Sequence, residues 1–400
     1  MAHDPVELME LRLFLEDICY DLVRFREAHG RGVRHGDIHI RQESAMPGDT
    51  GYADLEILHP DGPSDYIEVK WGYEADQLLS ALGRKYGTLG RRTAFRSTLS
   101  VVTDLSDEEW AAFEAAAGSV LDGRLILERL DRARFEAQLQ EHFGVALPRV
   151  DRACLLQVRS AIEKTKGVLA FGEGYKGSIL EDNTLWHVGH WVVEKARERD
   201  DLATLLAPGL YTDVAVVIAD ISGFSSYVRD TPDDAVMRYI LTSFYTKARR
   251  QVLASGGTLS QFVGDAVIAL FGLQHDGSDY MQQALQCAGA LLDIGSSVSS
   301  SWQRMIDRIQ QAAGCHAGIA VGDLHLVPLR AFSRSYVGVI ADSVNMASRL
   351  ASVAKPHEIV VSNAFYQRLP HASQKGFSEM APVDAKNMGL LRAWKSGLRT

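Results

Sequence analysis

The chain has 400 residues, 46% of them apolar, and a formal net charge of −9. That is enough apolar material for two to three packed domains, and an acidic balance without a long basic run argues against nucleic acid as a partner. Four scattered cysteines, Cys19, Cys154, Cys287 and Cys315, with no C-x-x-C pair, fit reduced thiols and exclude a disulfide framework.

The opening M-A-H-D-P-V-E-L lacks the basic and apolar regions of a secretion signal, and no apolar run reaches the length of a membrane span. The expectation is a soluble, cytoplasmic protein with no membrane partner. Pro5 to Glu27 reads as a long amphipathic helix. Strand patterns follow at His39-Ile40-Arg41, Tyr52 to His59, Tyr66 to Trp71 and Ser97 to Val102, with helices at Glu74 to Tyr86 and Asp107 to Ala117. Pro60 to Ser64 is a turn cluster between two of the strands. Residues 1–145 therefore read as an α/β domain. Asp54 lies on one strand and Glu68-Val69-Lys70 on the next, with Glu16 in the helix before and Gln77 in the helix after. That layout resembles the PD-(D/E)xK nuclease core, which would make this a DNA-acting enzyme. Charge alternation on an exposed strand produces the same letters, so a regulatory domain of that shape is the competing reading. His29, His35, His39 and His59 have no metal-ligand spacing.

Residues 146–207 read as a helical connector. Within it, Glu194 to Asp201 is charged enough to be an ordinary exposed helix face. Pro208-Gly209 marks the boundary of a third part, 208–400. There Val214 to Ala219 is a fully apolar strand that delivers Asp220 to its carboxyl end, followed by Ile221-Ser222-Gly223-Phe224. Thr258 to Val263 and Ala266 to Phe271 are separated only by Gly264-Asp265, a tight hairpin signal. Two carboxylates at the edges of adjacent strands suit a pair of divalent cations. Taken singly, Asp220 also reads as a helix N-cap and Gly264-Asp265 as a plain turn. A third element adds weight. Ser343 to Arg349 opens an amphipathic helix, with Ala341-Asp342 before it as cap, Val344, Ala347, Leu350 and Ala351 as its apolar stripe, and Asn345 and Arg349 together on another face. An amide beside a guanidinium suits a sugar oxygen and a phosphoryl group.

The strings I-A-D-I-S-G-F-S, F-V-G-D-A-V-I-A-L-F, H-A-G-I-A-V-G-D and V-G-V-I-A-D-S-V-N-M-A-S-R-L, in this order, resemble the catalytic domain of class III nucleotidyl cyclases. The resemblance covers a little under half of the chain, from about Tyr211 to Leu369. It implies an α+β protein whose C-terminal domain has a ferredoxin-like core, preceded by the separate α/β domain and the connector. It implies head-to-tail homodimers with shared active sites, a nucleoside triphosphate substrate, and two Mg²⁺ or Mn²⁺ ions per site. Asp220, Asp265 and the backbone of Ile221 carry over as metal ligands, and Asn345 and Arg349 as catalytic residues. Ser222, Gly223, Phe224 and Ser225 carry over as a phosphate cradle, and Arg334 as a contact to the triphosphate.

The chain departs from the family at the base. Gln261 stands where adenylyl cyclases have lysine and guanylyl cyclases glutamate, and Gly338 stands at the partner position. Gln261 both donates and accepts, which matches a uracil or cytosine edge, and Tyr227 is a candidate for stacking on the base or, equally, for a place in the core. The pattern resembles the soluble pyrimidine cyclases of bacterial anti-phage systems. These make cyclic UMP or cyclic CMP for a downstream effector, and a phage component is a candidate activator. A divergent adenylyl cyclase making cyclic AMP is the alternative.

Overall fold

The computed structural model describes residues 5–48, 50–87, 96–274, 279–310, 312–331, 334–385 and 389–396; residues 5, 6, 328–331, 334–337 and 385 are described by backbone alone. The chain separates into two compact units, residues 1–166 and 167–400.

The first unit opens with α1 (Pro5–Arg31), whose buried stripe of Leu11, Leu15, Ile18 and Leu22 follows the helical period. Five strands make one sheet in sequence order: β1 (His39–Ala45), β2 (Tyr52–Leu58), β3 (Asp65–Val69), β4 (Ser97–Val102) and β5 (Leu125–Leu130). The first three are antiparallel. β3, β4 and β5 run parallel, so their connections must be crossovers. Those crossovers carry α2 (Ala75–Tyr86) and α3 (Asp107–Val120), each opened by a capping box: Glu74 with Gln77, and Ser106 with Glu109. Gln77 thus serves as a cap. α4 (Arg132–Phe143) follows, and then α5 (Arg152–Phe171). Arg159 pairs with Asp17 and Asp21 of α1, and Lys166 Nζ lies 2.7 Å from the Asp21 carboxylate.

The second unit begins with α6 (Ile179–His187) and α7 (His190–Glu198). β6 (Gly209–Ile221), α8 (Phe224–Asp230), α9 (Asp234–Ala254), β7 (Thr258–Val263), β8 (Ala266–Phe271), α10 (Tyr280–Ile306) and β9 (Cys315–Ala331) then give a βαββαβ order. The strands lie β9-β6-β8-β7, all antiparallel, which is the ferredoxin-like arrangement. β10 (Arg334–Ile340) folds back on β9 as a hairpin arm. α11 (Asp342–Val353) leads to β11 (Ile359–Ser362), α12 (Asn363–Arg368) and α13 (His371–Gln374). β12 (Phe377–Glu379) and β15 (Ala393–Ser396) extend the sheet beyond β11, and β13 (Val383–Ala385) pairs with β14 (Gly389–Leu391).

Alternation along β6 builds two cores. Ala215, Val217, Ala219 and Ile221 face the side packed by Phe244 of α9 and Leu291 of α10. Val214, Val216 and Ile218 face the side packed by Ala347, Leu350 and Ala351 of α11. α11 sits close to β9 because Gly318 has no side chain: a Cβ there would lie 2.1 Å from the Ala347 carbonyl oxygen. Among the described residues no helix is long and apolar enough to cross a membrane.

Candidate active site

β6 is buried from Val214 to Ala219 because it is central in the sheet, and its last residues emerge at one end. Asp220 stands there, opposite Ala266 of β8 on one side and His316 of β9 on the other. Asp265 follows Gly264 in the two-residue turn between β7 and β8. Gly264 has a φ of 61° and Asp265 does not share the positive region, the pattern of a turn with glycine at its first central position. The turn brings Asp265 to Asp220, and the two carboxyl groups are hydrogen-bonded. Burial, that bond and the Asp220 charge push the Asp265 carboxyl up to about 8, although backbone N–H groups of Ile221 and Asp265 work the other way. Asp220 Oδ1 is buried without a hydrogen-bond partner. Two carboxylates that repel one another, one with an orphaned buried oxygen, fit a divalent cation between them.

The loop after Asp220 is held by its backbone. Ser222 is buried, its N–H donates to the Gly314 carbonyl at 2.9 Å, and Ile221 is in the core. Gly223 has a φ of 73°, and a Cβ there would come within 3.0 Å of the Ala312 carbonyl oxygen, so glycine is required twice over. Phe224 meets Trp302 edge-on, and Ser225 is exposed. α8 has only 7 residues, so its dipole adds little to whatever the loop binds.

Tyr227 overturns a sequence expectation. It has no exposed surface and stacks on Trp302 of α10, ring centroids 4.6 Å apart. A ring closed into the core cannot stack on a nucleotide base. The end of β6 and the turn at Gly223 lead into α8, whose first turn points Tyr227 inward.

On α11, Asn345 and Arg349 are both exposed, while Ser343, Ala347, Leu350 and Ala351 are buried. Arg349 makes no ion pair among the described residues. Gln261 is exposed on β7, and Gly338 is buried on β10 opposite Val327. Arg334 starts β10, paired with Ala331; its side chain lies outside the described ones.

Two residues near the site escaped the sequence reading. His316 Nδ1 lies 2.9 Å from the Ser222 hydroxyl, and its Nε2 lies 4.0 Å from the Asp220 carboxylate. Burial lowers the imidazole's pKa against the pull of Asp220. Tyr245 of α9 donates its hydroxyl to the Gly264 carbonyl and stacks on Phe262 at 4.3 Å, bracing the turn that carries Asp265. His316 lies within a string read from the sequence, yet only the sheet register places it beside Asp220.

In the first unit, Asp54, Glu68 and Lys70 do come together, and Lys85 of α2 joins them. Lys70 Nζ lies 2.8 Å from Asp54 and 2.5 Å from Glu68. Lys85 Nζ lies 2.9 and 2.8 Å from the two oxygens of Glu68, and the Tyr86 hydroxyl donates to Glu68 at 2.7 Å. Burial would raise the Asp54 carboxyl, but Lys70 and Lys85 override it and hold it well below the usual carboxylate range.

Residues 206–392 match the model of the adenylate and guanylate cyclase catalytic domain. The chain is 26% identical over 250 residues to the uncharacterised protein Rv1319c of Mycobacterium tuberculosis, a stretch covering 62% of this chain and 41% of that one. It is 32% identical over 172 residues to the uncharacterised protein Rv1320c of the same organism, covering 43% of this chain and 27% of that one. The chain thus spans less than half the length of these curated relatives. Among solved structures, guanylyl cyclase Cya2 aligns at 19% identity and TM-score 0.41, over 47% of this chain and 93% of that one. Adenylyl cyclase CyaB from P. aeruginosa aligns at 20% identity and TM-score 0.41, over 48% and 96%. With a βαββαβ sheet that places Asp220 beside Asp265, and with the family match over the same residues, the C-terminal part of this chain is a catalytic domain of the adenylate and guanylate cyclase type.

Proposed function

We propose that the protein converts a pyrimidine ribonucleoside triphosphate, UTP or CTP, into its 3′,5′-cyclic monophosphate and pyrophosphate, at sites completed between two copies of the chain. The observation that carries the reading is the Asp220–Asp265 pair, two adjoining carboxyl groups with the Asp220 Oδ1 left unpartnered. In the reaction the ribose 3′-oxygen bonds to the α-phosphorus, the bond to the β-phosphate oxygen breaks, and the hydroxyl proton leaves to solvent. Asp220 and Asp265, with the Ile221 backbone, would hold divalent cations. When bound, these supply Lewis-acid activation of the hydroxyl and neutralise triphosphate charge. The exposed Arg349 binds the α-phosphate as negative charge grows on it, and Asn345, one turn earlier, orients the ribose. The backbone from Ser222 to Ser225 approaches the phosphates closely because Gly223 lacks a side chain. Arg334 is assigned to the triphosphate.

The homodimer rests on the family pattern, in which carboxylates of one chain work with the Asn/Arg helix of the other. Arg349, exposed and without an ion pair among the described residues, is compatible with it. The pyrimidine assignment is supported by Gln261 and Gly338. Gln261 replaces the lysine or glutamate that reads a purine and Gly338 brings no side chain at all, and an unmatched purine edge costs about 1–3 kcal/mol per buried group. The proposed downstream role is second-messenger signalling in anti-phage defence, supported by the resemblance that Gln261 and Gly338 give to the pyrimidine cyclases of those systems.

We assign the first unit a regulatory role. Both its carboxylates already have ammonium partners, so a metal would have to displace Lys85 or Lys70. A plasmid-nicking assay with Mn²⁺ tests this, and cleavage lost in Glu68→Gln would restore the nuclease reading.

The main test is incubation of the full chain with each of the four ribonucleoside triphosphates and Mn²⁺, with products resolved by chromatography. Cyclic UMP or cyclic CMP is expected as the main product, absent with Asp220→Ala. If ATP shows the highest kcat/KM, the adenylyl cyclase alternative replaces the pyrimidine reading.

A further inference from the structure

β7 carries Gln261 and runs straight into the turn that holds Asp265, yet it is the edge strand of its sheet. Edge strands are paired on one side only, and their register is correspondingly easy to disturb. Here the C-terminal turn of α6 is docked on it. Arg249 of α9 donates from Nε to the Trp186 carbonyl at 3.0 Å and from Nη2 to the Leu185 carbonyl at 2.5 Å. These are two of the carbonyls a helix end leaves without partners. The same guanidinium lies 4.9 Å from the centre of the Trp186 ring, and Trp186 meets Phe262 of β7 edge-on. The next residue, His187, places Nδ1 2.6 Å from the Leu259 carbonyl. A carbonyl only accepts, so the imidazole carries its proton on Nδ1 and donates it.

That hydrogen bond falls at an irregularity. Leu259 pairs with Ala269, but Gln261 pairs with Ile268, which leaves Ser260 as the extra residue of a β-bulge. In a regular ladder Gln261 would oppose Val267, whose side chain belongs to the core under α9 and α10. With the bulge it opposes Ile268, whose side chain belongs to the other face with Ile218. Asp220 lies two residues after Ile218 and points to that same face. One extra residue therefore decides whether Gln261 faces the side of Asp220 or the opposite core.

We infer that His187 is a positioning residue for base selection: its bond to the Leu259 carbonyl pins the bulge that turns Gln261 to the face of Asp220. The inference rests on the cyclase reading for the meaning of that selection, but the link from His187 to the bulge stands on geometry alone. It ties the helix preceding the catalytic domain to the strand that reads the nucleotide.

The test uses full-length protein with His187→Ala and with His187→Asn, whose side-chain amide donates from nearly the same position. Two quantities are read: hydrogen exchange at the Ser260 and Gln261 amides, and kcat/KM for the four ribonucleoside triphosphates. His187→Ala should speed exchange at those amides about three- to tenfold, the size of one hydrogen bond, with β6 and β9 unaffected. It should flatten the preference among nucleotides by a similar factor, through KM more than kcat, and His187→Asn should restore both. Unchanged exchange at the bulge overturns the inference, as does an equal fall for all four nucleotides. If the wild-type protein turns over no nucleotide, the cyclase reading fails, while the exchange data still decide the link between His187 and the bulge.

Discussion

Lys85 reaches from α2 to place its ammonium 2.9 and 2.8 Å from both carboxylate oxygens of Glu68, a side chain with no exposed surface. A buried carboxylate of this kind persists only while its partners are in place.

Lys85→Met should therefore destabilise the first unit by about 3 kcal/mol, the low end for removing one partner of a buried pair, because Lys70 remains. Hydrogen exchange of β3 and α2 in the full chain is the measurement, and unchanged protection there would show the pairing to be dispensable. The pH dependence follows from Asp54, whose folded pKa is depressed. Its contribution is complete above the unfolded value of about 4 and is lost as pH falls toward the folded one. First-unit stability should decline below about 4 through Asp54, on top of a loss that begins below about 6.5 through His35, whose burial lowers its imidazole to about 4, and through His39, lowered in the same way.

Asp265 behaves in the opposite sense. Its folded carboxyl, pushed up to about 8, makes the folded state of metal-free protein bind more protons than the unfolded chain. Asp265 should therefore contribute a fall in stability as pH rises from about 4 to about 8. Asp265→Asn should remove that slope and raise Tm at pH 8 by several degrees in the presence of a chelator, while abolishing turnover. A Tm equal to wild type at pH 8 would mean that the two carboxyl groups are not in conflict.

A shared site predicts complementation. Asp220→Ala and Arg349→Ala proteins, each inactive, should regain up to about a quarter of wild-type activity when mixed, since random pairing leaves one intact site in each heterodimer. Dead mixtures with subunit exchange shown independently would contradict the two-chain site.

Tyr227 sorts base recognition from packing. Tyr227→Phe should leave nucleotide preference unchanged, because the ring is enclosed against Trp302. Tyr227→Ala should cost about 3–5 kcal/mol of stability, the usual loss for a large buried aromatic. A change of nucleotide preference in the phenylalanine variant would reopen the stacking role.

Local pattern alone located most of the second unit. The strands Thr258–Val263 and Ala266–Phe271 and the apolar stripe of α11 are set by residues close in sequence, so their periods are readable without the fold. The turn residues Gly264 and Asp265 are legible for the same reason. The places of Asp220, Asp265, Asn345 and Arg349 on their elements follow from local pattern. Their neighbours come from the packing of distant elements. His316 faces Asp220, Trp302 encloses Tyr227, Lys85 completes the cluster around Glu68, and Ser260 bulges to re-aim Gln261. Each of these depends on strand register or on packing between elements far apart in the chain. A one-residue shift in register exchanges the two faces of a strand, and nothing in the local period of β7 records on which side of the bulge Gln261 falls.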